Sequence, residues 1–103
     1  MLRMKRGDTK PDLVFEQVRD QDGELIELST KTVHVVCRRK SVFMFSREVQ
    51  GVLGSATMLW EPGDTDVVGR LKFELKIALE NGHELTIPSE GHFDVEVTQD
   101  LDQ

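Results

Sequence analysis

The chain has 103 residues, 38% of them hydrophobic and 31% charged, with a formal net charge of −6 from 19 acidic and 13 basic residues. That length suits one domain, and folding at this size buries about two-thirds of the unfolded surface, enough for one core. A balance this acidic repels phosphate-rich partners, so nucleic acid is not expected. A single cysteine, Cys37, excludes an internal disulfide and a zinc site made of cysteine pairs. It fits a reducing compartment. No apolar run follows Met1-Leu2-Arg3-Met4, and no window approaches a membrane span, so neither a signal peptide nor a membrane partner is expected.

In chain order, the polar residues 1–10 read as an N-terminal arm or irregular lead-in, with Arg3, Lys5, Arg6 and Lys10 as a short basic cluster. Pro11 opens the first strand, where Leu13 and Phe15 alternate and Val18 closes. Asp20-Gln21-Asp22-Gly23 is a turn, because glycine tolerates positive φ and aspartate bonds its own backbone. Leu25, Ile26 and Leu28 predict a short second strand, followed by Ser29-Thr30-Lys31 as a connection. Thr32 to Arg38 is the third strand, with Val33, Val35 and Cys37 on one face and Val36 as an apolar exception on the other. Lys40 and Ser41 turn the chain into Val42 to Ser46, apolar on both faces. Gly51 and Gly54 break a middle segment, Ala56 to Trp60 is a further strand, and Glu61-Pro62-Gly63-Asp64 is a turn.

The clearest signal lies from Leu71 to Leu79. Leu71, Phe73, Leu75, Ile77 and Leu79 alternate with Lys72, Glu74, Lys76 and Ala78. A period of two belongs to a strand with one buried and one wet face; a helix would scatter these side chains round its circumference. The strand spans about Arg70 to Glu80. Asn81-Gly82 then predicts a hairpin, with His83 to Ile87 as the returning partner and Pro88 ending it. Gly91 begins the last strand, in which Phe93, Val95 and Val97 face away from His92, Asp94, Glu96 and Thr98. The sum is an all-β domain over 11–98 of about seven or eight strands, with a polar tail over 99–103. Turn signals every 8–12 residues are those of an antiparallel sandwich or barrel.

No catalytic pattern emerges. His34 and His92 fall on polar strand faces and His83 follows a turn, so nothing brings them together as metal ligands. Asp64 and Asp66 lack the remaining ligands of a calcium loop, and Asp64 reads as a turn cap. Cys37 sits on an apolar face with no base assigned to it, where a thiol behaves as a small hydrophobe. No glycine-rich phosphate loop and no nucleophile elbow is present. The chain reads as neither an enzyme nor a cofactor protein. Basic residues at Arg38, Arg39 and Lys40 read as a solvated strand end. Val42, Phe43, Met44, Phe45 and Trp60 are the candidate interface residues, because an apolar stripe on a strand invites a partner. The alternative is a stand-alone binding module for a carbohydrate or another surface, with Trp60 as an exposed stacking platform.

Three segments resemble one family. Met4-Lys5-Arg6-Gly7-Asp8-Thr9 with Pro11, Leu13 and the Asp-Gly turn is similar to the start of the phage baseplate-upper-protein N-terminal domain family. Trp60-Glu61-Pro62-Gly63-Asp64-Thr65-Asp66 with Gly69 resembles its middle, and Thr86-Ile87-Pro88 with Gly91-His92-Phe93-Asp94-Val95-Glu96-Val97 its close. The resemblance implies an immunoglobulin-like antiparallel β-sandwich and a structural role in the tail or baseplate of a tailed phage. It implies other tail or baseplate proteins as partners, is compatible with a homo-oligomer, and places the chain in a virion assembled in the host cytoplasm. Family members often attach longer proteins to a tail; a chain ending at Gln103 without a receptor-binding region is expected to be a small tail component, phage- or prophage-encoded. The family brings no catalytic motif.

Overall fold

The computed structural model of the protein describes residues 2–79, 82–88 and 93–99. Among these residues eight strands form: β1 (Leu2–Lys5), β2 (Leu13–Phe15), β3 (Val33–Arg39), β4 (Val42–Val52), β5 (Ser55–Met58), β6 (Gly69–Ala78), β7 (Glu84–Ile87) and β8 (Phe93–Thr98). The protein is all-β, and its strands make one curled mixed sheet, a half-barrel. Their order is β1-β8-β6-β3-β4-β5-β2, with β7 also on β6.

Alternation on β6 decides the centre. Phe73, Leu75 and Ile77 are fully buried, and each such side chain contributes about 1.5–3 kcal/mol. Leu79 lies past the strand end and is exposed. β3 pairs β6 antiparallel, setting Val33, Val35 and Cys37 opposite Ile77, Leu75 and Phe73 on the inner face. On the other edge of β6, β8 runs along Gly69–Phe73 and β7 along Leu75–Ala78. Ile87 lies opposite Leu75 and Phe93 opposite Phe73. A continuous ladder would have set residue 89 there, so the pairing resumes four residues out of step after Pro88.

The curl comes from β4. It pairs β3 from Val42 to Val49 and then β5 from Gln50 to Val52. The handover falls between Val49 and Gln50, and the next residue, Gly51, packs against Leu28 where a side chain would collide. β2 then pairs β5 and lies over the opposite end of the sheet. The Phe15 ring on β2 meets Phe93 on β8 edge-on at 4.9 Å, and Trp60 meets Phe73 at 5.7 Å. The core is what these two ends enclose. Residues 6–12 close it from the side: the Gly7 N–H donates to the Thr65 carbonyl at 3.0 Å, and the buried Thr65 hydroxyl donates to the Asp8 carbonyl at 2.7 Å.

Several expectations are corrected. Residues 2–5 are not an arm: β1 runs parallel to β8, with Met4 buried and Arg3 opposite Glu96. The sheet is therefore mixed rather than antiparallel. Leu2 and Met4 alternate with Arg3 and Lys5, a strand pattern masked by the charges around it. The second strand does not form. Leu25 and Glu27 make isolated bridges, and Leu28–Thr30 is a 3₁₀ turn capped by Glu27, whose carboxylate accepts from the Ser29 amide and hydroxyl. The segment after Ser46 is no break, since β4 continues through Gly51. The β6–β7 ladder ends with Ala78 opposite Glu84, and beyond it the Leu79 N–H donates to the His83 carbonyl, while Gly82 takes φ 78°. Asn81, Glu80, Gly91, His92 and most of the tail, 100–103, lie outside the described residues. The Asp20 turn forms as read: its carboxylate accepts from the Asp22 and Glu24 amides.

Candidate functional site

The proposed interface residues gather on the β3–β4 hairpin, apart from one. Lys40 and Ser41 join the strands in two residues with φ of 49° and 66°, the left-handed pair of a type I′ turn. Facing pairs then run Arg39 with Val42 and Arg38 with Phe43, but Cys37 with Phe45. Met44 is the extra residue of a β-bulge. Without it Phe43 would share the core face with Phe45. The bulge moves Phe43 to the outer face beside Arg38. Val42, Phe43 and Met44 are accordingly 62%, 59% and 47% exposed, while Phe45 is half-buried with its ring 6.2 Å from Phe73. Simple alternation would expose only every second residue of this run.

Trp60 does not belong to this surface. It is 6% exposed, and its indole N–H donates to the Pro11 carbonyl at 2.9 Å. The domain's own core has taken it, so it is neither an interface residue nor a platform for a sugar.

Beside the hairpin, β4 and β5 diverge. Their ladder ends at Gln50 and Thr57, while on the other edge of β5 the pairing with β2 runs on to Met58 opposite Leu13. The fork leaves an open groove of about 630 Å³, floored by Val49, Met58 and Leu59 and rimmed by Glu48 and Glu61. Among the described residues no strand pairs the free edge of β4 over 42–49.

One residue holds the fork open in a fixed shape. Arg47 reaches across it and binds Asp64 through two bonds, Nη1 to Oδ2 at 2.5 Å and Nη2 to Oδ1 at 2.6 Å. Its Nε lies 2.8 Å from Glu61 Oε2, and its guanidinium carbon lies 3.9 Å above the Phe45 ring. This is the planar, bidentate geometry that arginine suits. Asp64 also accepts from the Glu61 amide at 2.8 Å, so it caps its turn as read. Burial works to raise the Asp64 carboxyl, but the Arg47 and Glu61 hydrogen bonds and the guanidinium charge outweigh it and hold the group below the usual carboxylate range. The clamp was not legible in sequence, since nothing in the spacing of Arg47 and Asp64 announces it.

The remaining candidates sit apart. Cys37 is fully buried; burial above all, with the Asp64 carboxylate adding to it and Arg47 partly offsetting it, pushes its thiol up to about 12. His34 lies on the outer face between Glu48 and Lys76, and His83 is exposed beyond β6. Asp66 is exposed. Among the described residues no three of histidine, cysteine, aspartate or glutamate converge. No protein-family model, no curated protein and no solved structure matches the chain.

Proposed function

We propose that the chain is a structural module of a tailed-phage or prophage particle, a tail or baseplate component that works by protein–protein assembly and not by catalysis. One observation carries the assembly reading: Val42, Phe43 and Met44 stand exposed in succession on a strand edge with no described partner, placed there by a bulge. Exposed apolar runs on free edges are costly to a solitary protein and are ordinarily covered by a partner. The motif resemblance over the Met4, Trp60 and Thr86 segments supplies the phage context. Ring contacts from Phe15 on β2 to Phe93 on β8 and from Trp60, after β5, to Phe73 on β6, made across the curl of the sheet, support reading the fold as an immunoglobulin-like sandwich whose two layers share β4.

The test is mass spectrometry on purified particles from the strain that carries the gene. The chain is expected in the particles at fixed stoichiometry, and Phe43→Ser is expected to lower its incorporation without unfolding it. Particles that lack the chain would refute the reading.

A further inference from the structure

We propose that the β3–β4 hairpin tip of one copy seats in the β4–β5 fork of a second copy, so that the chain associates with itself head to tail. The inference rests on the assembly reading and names its partner.

Charge gives the first argument. A chain of net charge −6 repels its own copies unless opposite patches meet. The hairpin tip is basic. Lys40 is exposed, and Arg39 donates to the Val68 carbonyl at 2.7 Å, a neutral partner, with no ion pair to it among the described residues. The fork is acidic. One guanidinium, Arg47, is shared by Asp64 and Glu61, and with Glu48 beside them three carboxylates face one positive charge, so the rim is net negative. Shape and polarity give the second. Val42 and Phe43, exposed at the tip, find their apolar counterpart in Leu59, exposed in the groove over the buried Val49 and Met58. The charged rim around an apolar floor is the arrangement of a specific contact.

The two surfaces cannot meet within one copy. Val42 and Gln50 lie on the same strand, about 26 Å apart at the usual rise per residue. Each copy therefore presents a filled tip and an empty fork in different directions. A contact of this heterologous kind leaves a free tip and a free fork at the two ends, and so continues to a ring or a chain.

The experiment is sedimentation and light scattering of the full chain across a range of concentrations. Species larger than two copies are expected for the unaltered protein. Lys40→Glu, Phe43→Ser and Glu48→Lys each change an exposed side chain, and thermal melts establish that they fold. Each is expected to weaken association by roughly tenfold or more. Mixing the Lys40→Glu and Glu48→Lys proteins restores both junctions, one with native charges and one with charges exchanged, so the mixture is expected to associate where each alone does not. A protein that stays single at every concentration, association that stops at two copies, variants that associate like the unaltered chain, or a mixture that fails to recover would overturn the docking. These outcomes separate from the particle test: a non-associating chain still found in particles defeats the self-docking alone, and an associating chain absent from particles defeats the phage reading alone.

Discussion

Asp64→Asn removes one charge from the Arg47 clamp and keeps its shape. Asparagine retains one acceptor oxygen for the Glu61 amide but cannot take both guanidinium bonds. The pair is neither exposed nor fully buried: the Asp64 side chain is 8% exposed and Arg47 24%. Exposed pairs are worth at most about 1 kcal/mol and breaking a buried one costs about 3–5, which places this site near 2 kcal/mol. The Lys10–Asp12 pair, at 76% and 30% exposure, is the internal contrast and should cost almost nothing. For a domain of this size 2 kcal/mol lowers the melting midpoint by roughly 8–16 °C. Urea and thermal unfolding followed by Trp60 fluorescence measure it, since the lone tryptophan is buried in the native core. The acid limb gives a second readout. The folded Asp64 carboxyl is lowered, so its stabilisation is complete above the unfolded value of about 3.9 and is lost as pH falls through the folded value. Asparagine does not titrate, so the gap between the two proteins should narrow below about pH 4. A gap under about 0.5 kcal/mol at neutral pH, the ordinary range for surface changes, or one unchanged in acid, would refute the reasoning.

Two further outcomes follow from the packing. Gly51→Ala sets a methyl group inside contact distance of the Leu28 Cβ and 3.4 Å from its carbonyl carbon, at a residue 1% exposed. Urea titration should show a loss of about 1–3 kcal/mol, and a neutral result would mean that the β4 handover is not tightly packed. Cys37, with its thiol pushed up to about 12, should resist a thiol reagent at pH 8 and react once urea unfolds the chain. Prompt stoichiometric labelling of the native protein would contradict its burial.

The strands that carry a clean period of two were legible residue by residue. Val33, Val35 and Cys37 on β3 and Leu71 through Ile77 on β6 bury as their alternation requires. β1 was hidden because its two apolar residues sit among four basic ones, and its burial depends on β8, more than ninety positions away. Leu25 to Leu28 carries the composition of a strand, but Glu27 and Ser29 bond each other and tighten the chain into a 3₁₀ turn.

The candidate surface divides in the same way. The apolar run Val42 to Phe45 was visible as a run, yet which members face outward was not, because a one-residue bulge at Met44 resets the alternation. Trp60 could be core or surface by its neighbours, and the Pro11 carbonyl decided it. The sequence by itself determined the all-β class, the inner faces of the central strands and the turn at Asp20, since these follow from local periodicity and local hydrogen bonding. Only the tertiary structure decided the parallel β1, the fork between β4 and β5 and the Arg47–Asp64 clamp. Each joins residues whose spacing along the chain carries no period, and they meet only when the sheet curls over a shared core.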